Sequence, residues 1–293
     1  MRVLRWLVAL IVLAVVAGWF ITAPSPVPAE YDTLVGDAEA GRVTFAAAGC
    51  ASCHTAPEAE GGDAPLLAGG QAFESDFGTF YAPNISPSPE GIGDWTDGEI
   101  IHAVRDGVSP DEGHLYPAFP YTSYTKADPQ DVADIVAYIR TLPASDAVNQ
   151  PHDVGFPFNI RRGLGAWKIL FMDDSYVLSE ADSPEVQRGR YIVESLAHCA
   201  ECHTERNALG ALDRSAWLGG APNPSGEGSI PNITSGGLSW TEQQIAEYLN
   251  SGFTPEFDSA GGEMAEVVQN TAQLSGDDRL AIAAYLKAVP AVQ

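Results

Sequence analysis

The sequence predicts an all-α protein in which two tandem helical domains follow an N-terminal transmembrane helix. Three observations predict this fold class: a long apolar segment opens the chain, two later segments repeat the same landmarks, and apolar residues recur with helical spacing. We expect four parts: a membrane segment with a Pro-rich spacer (1–29), a first domain (30–148), a connector (149–184) and a second domain (185–293).

The N-terminal segment is typical of a membrane span. Arg2 and Arg5 precede an uncharged stretch whose core, Trp6 to Thr22, is almost wholly apolar and long enough to cross a bilayer. Cations before the span and acidic residues after it predict a single-pass protein of the inner membrane, with its globular part in the periplasm. A cleaved signal peptide is the competing interpretation, although Val27-Pro28-Ala29 is a poor cleavage site.

Local signals predict the elements of the first repeat. Thr96 with Glu99 three residues later is typical of a capping box, and Gly107 is typical of a helix end. We expect a helix over Leu34–Ala48, a Gly/Pro-rich loop over Ala56–Gly70, a helix from Thr96 to Gly107 and a final amphipathic helix over Pro129–Thr141.

The second repeat has the same landmarks in the same order. The matched positions are Gly41 and Gly189, Leu67 and Leu218, Pro83-Asn84-Ile85 and Pro231-Asn232-Ile233, Trp95 and Trp240, Gly107 and Gly252, and Tyr138 and Tyr285. Two copies of one small helical unit explain this order.

One pentad in each repeat carries the chemistry. Cys50-Ala51-Ser52-Cys53-His54 and Cys199-Ala200-Glu201-Cys202-His203 share the pattern C-x-x-C-H and contain all four cysteines. This pattern attaches c-type haem, because the two thiols form thioethers with the vinyl groups and the adjacent imidazole binds the iron. We therefore expect two covalently bound haem c groups, held by Cys50, Cys53, Cys199 and Cys202 with His54 and His203 as proximal ligands.

Other uses of the cysteines fit the sequence less well. A zinc site would need the two Cys-Cys-His sets to pool their ligands, which leaves the matching repeats unexplained. A disulfide framework of four cysteines in 293 residues is sparse, and a chain with 45% hydrophobic residues can build a core without it. A thioredoxin-like motif predicts no histidine beside each pair.

Met264 is the predicted sixth ligand of the second iron. It follows His203 by 61 positions, between two expected helices, where a loop can return over the open haem face. A Met thioether at this position raises the haem potential. An ordinary core methionine is the competing interpretation.

The first repeat has no matching methionine, because Phe119 stands at that place, 65 positions after His54. His114 is the nearest residue that can bind iron and is the predicted ligand. The alternatives are Met172, Lys126, His102 and an open iron. Imidazole ligation would give the first haem the lower potential, with a downhill electron step toward the second.

The charge balance is strongly acidic. The chain has 39 Asp and Glu residues against 15 Lys and Arg, for a net charge of −24. Nucleic acid is therefore excluded as a partner class. An acidic surface can steer a basic redox partner toward the protein, or it can serve solubility alone.

The connector holds a group of cations and aromatic residues. Its cations are Arg161, Arg162 and Lys168, and its aromatic residues include Phe156, Phe158, Trp167 and Phe171. A flexible linker would not carry so many aromatic residues. We expect the connector to pack along both domains and fix their orientation, and a docking strip for a partner subunit is the alternative.

Seven stretches carry a family resemblance. They are His114–Tyr121, Arg188–Tyr191, His198–Thr204, Arg206–Gly210, Pro231–Thr234, Gly252–Pro255 and Met264–Val268. From about residue 30 onward, the chain resembles the membrane-anchored dihaem cytochromes c that serve as electron-transfer subunits of periplasmic alcohol, aldehyde and sugar-acid dehydrogenases. The resemblance implies two small all-helical cytochrome c domains. Relatives often have methionine at the position of Phe119 or near Ala127, and many carry a third haem.

These observations predict a membrane-tethered dihaem electron carrier without substrate chemistry of its own. Its redox partner would be a dehydrogenase subunit, another cytochrome or a terminal oxidase. The alternative is a haem enzyme, of the peroxidase or thiosulfate-oxidising type, that acts at the first haem if that iron is open. Carbon monoxide binding to the reduced protein would separate the two functions.

Overall fold

The computed structural model describes residues 1–57, 64–223 and 228–293, so part of the expected loop Ala56–Gly70 lies outside the described residues. Within these ranges the helices are α1 (Arg2–Ile21), α2 (Ala38–Ala47), α3 (Cys50–His54), α4 (Asp97–Asp106), α5 (Tyr121–Tyr124), α6 (Pro129–Ile139), α7 (Arg162–Phe171), α8 (Pro184–Tyr191), α9 (Ala200–His203), α10 (Glu242–Ser251), α11 (Glu263–Thr271) and α12 (Gly276–Ala288). Short 3₁₀ turns lie at Tyr31–Thr33 and Arg214–Ala216, and a π-helical turn at Ile192–Leu196 continues α8.

Short strands in the loops amend the all-α prediction. They are β1 (Ala72–Ser75), β2 (Gly78–Tyr81), β3 (Val108–Ser109), β4 (Gly113–His114), β5 (Asp153–Val154), β6 (Ala221–Pro222) and β7 (Ser229–Ile230). All pairs are antiparallel: β2 lies between β1 and β5, β3 pairs with β4, and β6 pairs with β7. The pairing of β2 with β5 joins the first domain to the connector, and no local sequence pattern indicates such a distant partner.

Capping residues set the ends of the matched helices. The Thr96 hydroxyl accepts the Glu99 N–H at 3.2 Å, and the Glu99 carboxylate accepts the Thr96 N–H at 2.7 Å, so the predicted capping box is confirmed. Thr241 and Gln244 form the equivalent box at the start of α10. Gly107 ends α4 with φ of 61°, a left-handed conformation that glycine adopts without strain.

The first helix of domain 1 is shorter than expected. The Asp37 side chain accepts the backbone N–H groups of Glu39 at 2.8 Å and Ala40 at 3.3 Å. Because this is N-cap geometry, α2 begins at Ala38 and the preceding residues from Leu34 are not helical.

Each domain is built around a crossing of its first and last long helices. In domain 1 α2 packs on α6, and in domain 2 α8 packs on α12. A Cβ placed on Gly41 would stand 1.8 Å from the Asp134 carbonyl oxygen, and one on Gly189 would stand 1.9 Å from that of Ala281. No side chain fits between these backbones, so the matched glycines set the separation of the helices.

The connector packs on both domains. Its Lys168 ammonium donates to two carbonyls at the C-terminal end of α4, at 2.6 and 2.7 Å, on domain 1. The Trp167 indole donates to the Leu209 carbonyl at 2.8 Å on domain 2. Further along, the Val177 N–H donates to the fully buried Glu194 carboxylate at 2.6 Å. These bonds fix the connector to both halves of the molecule.

Helix α1 has the length and composition of a membrane span. An 18-residue window of this 20-residue helix has a mean hydropathy of 2.4, and no residue of the helix is buried. A helix that is apolar on every side requires an apolar surrounding. Both a retained anchor and a signal sequence satisfy this description.

The helix crossing gives a stability prediction. Gly189→Ala forces a methyl group against the α12 backbone, so we expect the free energy of unfolding of domain 2 to fall by about 1–3 kcal/mol. Gly276→Ala is the matched control, because that glycine is also helical and a Cβ there meets nothing within 4 Å. We expect it to change stability by less than about 0.5 kcal/mol. Urea denaturation of the haem-loaded protein measures both, and equal midpoints would contradict the account.

Candidate haem-binding sites

The two pentads lie on matching short helices. Gly49 turns the chain into α3 with φ of 66°, and Cys199 immediately precedes α9. Side chains three positions apart on a helix lie on the same side, so both thiols of a pentad face one pocket. No disulfide joins any of the four cysteines. Burial raises the pKa of Cys50 and of Cys199 to about 12, so these thiols are protonated at neutral pH.

The histidine of each pentad is held by one backbone carbonyl. His54 Nδ1 lies 2.8 Å from the Pro83 oxygen, and His203 Nδ1 lies 2.8 Å from the Pro231 oxygen. A carbonyl can only accept, so Nδ1 carries the proton and Nε2 keeps its lone pair. Burial lowers the pKa of both imidazoles and favours the neutral form that binds iron.

A second set of matched bonds holds the proline loops. The Asn84 side chain donates to the Ser145 and Ala147 carbonyls, each at 2.9 Å, and the Asn232 side chain donates to the Val292 carbonyl at 2.9 Å. In both domains the asparagine therefore ties the loop to the chain that follows the last helix. This arrangement keeps the proline carbonyl in position for the imidazole.

The remaining matched residues connect the loops to the pentads. The N–H groups of Gly69 and Gly220 donate to the carbonyls of His54 and His203, at 2.7 and 2.8 Å. The carbonyls of Leu67 and Leu218 accept from Ile85 and Ile233, each at 3.0 Å. The repeated residues thus make the same bonds twice.

Tyr285 of domain 2 belongs to a buried network of hydrogen bonds, whereas the matched Tyr138 of domain 1 does not. The Tyr285 hydroxyl donates to Glu194 at 2.7 Å and accepts from the Trp217 indole at 3.0 Å. Burial, followed by the nearby Glu194 charge, raises the pKa of Tyr285 and keeps the phenol protonated. Tyr138 packs instead edge-on against Phe45, with ring centroids 5.1 Å apart, and its hydroxyl makes no hydrogen bond within the described residues.

The donor set of each pentad fits haem c. Paired thiols on one side of a short helix match the two vinyl groups, and the adjacent neutral imidazole matches the proximal position of the iron. A pooled zinc site would need converging ligands. Across the described ranges, no group of three or more His, Cys, Asp and Glu side chains converges in this way.

Met264 lies in the first turn of α11 and packs, partly buried, against the core. The Glu263 carboxylate lies near one cysteine of each pentad, Cys53 and Cys202. Burial, followed by the nearby Glu266, Glu263 and Cys202, raises the pKa of Cys53 to about 11. Helix α11 therefore lies close to both pentads.

His114 lies apart from Phe119. Its Nε2 donates to the Thr22 carbonyl at 2.9 Å, at the end of α1, and its buried Nδ1 has no partner within the described residues. Phe119 packs on Tyr124, with ring centroids 5.6 Å apart, and the Tyr124 hydroxyl donates to the Ala48 carbonyl beside the first pentad at 2.7 Å. Phe119 is thus connected through Tyr124 to the segment beside the first pentad, whereas His114 is bonded to the end of α1.

The alternative ligands have other contacts. His102 Nδ1 lies 2.9 Å from the Asp106 carboxylate, and its Nε2 lies 3.1 Å from the Ser25 carbonyl. The Lys126 ammonium donates to the Thr122 carbonyl at 2.8 Å. Met172 lines a cavity beside the end of α1.

The two attachment segments touch each other across the domain interface. The Asn270 amide donates to the Ser52 hydroxyl, inside the first pentad, at 2.8 Å. His198, directly before the second pentad, donates from Nε2 to the Ala48 carbonyl at 3.3 Å. Sequence reasoning missed the roles of Asn270, His198 and Glu194, because each acts on a residue distant in the chain. His198 had one available signal, its position next to Cys199.

Comparisons with known proteins agree with this geometry. A family model described as Cytochrome c matches residues 38–143 and 186–290. A diheme cytochrome c-type protein of Cereibacter sphaeroides is 54% identical over 97% of both chains. The fructose dehydrogenase cytochrome subunit of Gluconobacter japonicus is 40% identical over 92% of this chain and 55% of its own. The alcohol dehydrogenase (quinone) cytochrome c subunit of Gluconobacter oxydans is 34% identical over 83% of this chain and 52% of its own, so the chain spans about half the length of these two subunits.

The buried network gives a prediction that separates the two domains. Tyr285→Phe leaves the Trp217 indole without its partner and removes one hydrogen bond from the buried Glu194 carboxylate, so we expect domain 2 to lose about 1–3 kcal/mol of unfolding free energy. Tyr138→Phe at the matched position should cost less than about 0.5 kcal/mol. Denaturation followed at the haem absorption bands measures the difference. A Tyr138→Phe cost equal to that of Tyr285→Phe would show that the network adds nothing.

Proposed function

Because the chain belongs to the cytochrome c family, we propose that it carries electrons on the periplasmic side of the membrane from a dehydrogenase to a respiratory acceptor. It binds two covalently attached haem c groups, and it is an electron-transfer protein rather than a catalytic subunit. Bound haem supplies one-electron oxidation and reduction at iron.

Transfer within one chain is supported by the contact between the attachment segments. Ser52 of the first pentad bonds to Asn270, and Ala48 beside that pentad bonds to His198 beside the other. These bonds join domain 2 to the first pentad and connect the segments that precede the two haem-binding helices. The residues of the chain thereby fix the relative position of the two groups.

We propose Met264 as the distal ligand in domain 2 and His114 in domain 1. Met264 is supported by its place on α11, which lies close to the pentads. Ligation by His114 Nε2 requires its hydrogen bond to the Thr22 carbonyl to break, at a net cost of about 1 kcal/mol that iron binding must exceed. Imidazole in domain 1 and thioether in domain 2 would give the second haem the higher potential.

The membrane location rests on α1. Trp6 and Trp19 stand near its two ends, as aromatic residues do at the two surfaces of a bilayer, and Arg2 and Arg5 support a cytoplasmic N-terminus. The globular part then lies in the periplasm.

The dehydrogenase partner is proposed from the relatives. Cytochrome subunits of fructose and alcohol dehydrogenases match most of this chain. The net charge of −24 supports a partner whose docking face is basic.

A haem enzyme that acts in domain 1 is the second candidate. One observation favours it: Phe119 stands at the place that corresponds to Met264, and Phe cannot bind iron. If His114 keeps its bond to Thr22, the first iron stays open to a small ligand.

The electron-carrier proposal predicts substrate-dependent reduction. When the chain is purified from native membranes with its dehydrogenase, anaerobic addition of that enzyme's substrate should reduce both haems. The substrates to test are alcohols, aldehydes, sugars and sugar acids, and visible absorption spectra measure the reduction. The Met264→Leu variant is the ligand control, in which the second haem alone should gain carbon monoxide binding in the reduced state.

Two outcomes would contradict this function. One is that no substrate of the co-purified enzyme reduces the haems. The other is that the wild-type protein binds carbon monoxide tightly at the first haem and turns over hydrogen peroxide, which would favour the enzyme.

A further inference from the structure

The residues that helix α7 of the connector exposes are all apolar. Its exposed residues are Gly163, Ala166, Ile169 and Leu170, of which Ile169 is 60% and Leu170 is 69% exposed. With 100° per residue, these four positions fall on one side of the helix. A surface helix in water normally has the opposite arrangement.

The polar side chains of α7 bond to other parts of the chain. The Lys168 ammonium donates to two carbonyls at the end of α4, and the Trp167 indole donates to the Leu209 carbonyl. The segment before α7 continues the apolar surface, because Phe156, Phe158 and Ile160 are also exposed.

Helix α7 runs across the outer end of α1. The Arg162 guanidinium lies 4.4 Å from the centre of the Trp19 ring and donates to the Trp19 carbonyl. A Cβ on Gly165 would stand 2.3 Å from the Thr22 carbonyl oxygen. At the far end of α7, Ile169 lines one cavity together with Ile21. Both ends of α7 therefore stay at the level of residues 19–22.

With α1 as a membrane anchor, that level is the surface of the bilayer. Tryptophan near the end of a span lies at the lipid–water boundary, so Trp19 marks the depth of α7. A helix at this depth that presents an apolar face away from the protein has the arrangement of an interfacial helix.

We propose that α7 lies in the membrane interface, with Ile169 and Leu170 inserted among the lipids of the outer leaflet. The occupant of this face is lipid because the face is continuous with the end of α1. Burial of apolar area, rather than charge, holds it there, since Arg161 is paired with Glu112 and Lys168 is turned inward. The contact would orient domain 1 against the membrane. This inference rests on the proposed anchoring role of α1.

Spin labels on the full, haem-loaded chain test the proposal. The four native cysteines are consumed by haem, so Leu170→Cys provides a single reactive thiol. In phosphatidylcholine vesicles, with the haems reduced, we expect the label at 170 to be several-fold more accessible to oxygen than to a polar nickel complex. Label mobility and this ratio should not change with salt, because the contact is apolar.

Two control labels make the outcome decisive. Val148→Cys, at a position 78% exposed in the chain after α6, should show the reverse preference, for the nickel complex. Val12→Cys reports on α1 itself. If the label at position 12 lies in lipid and the label at 170 behaves like the label at 148, the inference about α7 is wrong but the proposal that α1 is an anchor is retained. If the label at position 12 also lies in water, the anchoring proposal is wrong.

A third outcome concerns a protein partner. If the label at position 170 leaves water only when a dehydrogenase is added, the exposed face of α7 binds protein rather than lipid and the inference is wrong.

Discussion

The rest of the structure depends on one hydrogen bond that occurs twice, from a pentad imidazole to a proline carbonyl. The bond keeps the imidazole proton on Nδ1, so the Nε2 lone pair of His54 and His203 is free to bind iron. Because the carbonyl must hold its position, the chain around it is tied down by Asn84 in one domain and Asn232 in the other. Much of the repeated sequence serves this arrangement.

Contacts between the two domains hold the two haem-binding sites in one fixed arrangement. Asn270 and His198 reach from domain 2 to the first attachment segment, and the connector bonds to both domains. A connector that only linked the domains would leave their separation variable. Here the same segment also meets the end of α1, so the geometry between the domains and the geometry toward α1 are fixed together.

The sequence predicted what local or repeated patterns encode. The pentads, the capping box at Thr96 and the matched glycines follow from spacing and residue type. The sequence alone shows that Pro83 matches Pro231 and that Gly41 matches Gly189. Their roles became clear only from the structure, in which the prolines bond to His54 and His203 and the glycines contact the facing helices. The strand pair β2–β5 and the bond of His114 to Thr22 could not be predicted, because their partners are distant in the chain.

The central claim is that one chain holds its two haems in a fixed relation and passes electrons between them. Flash photoreduction of the purified protein, followed at the absorption bands of both haems, tests it most directly. The account predicts that an electron delivered to the first haem redistributes to the second at a rate independent of protein concentration. A rate that rises in proportion to protein concentration would show that transfer occurs between molecules, and would contradict the account.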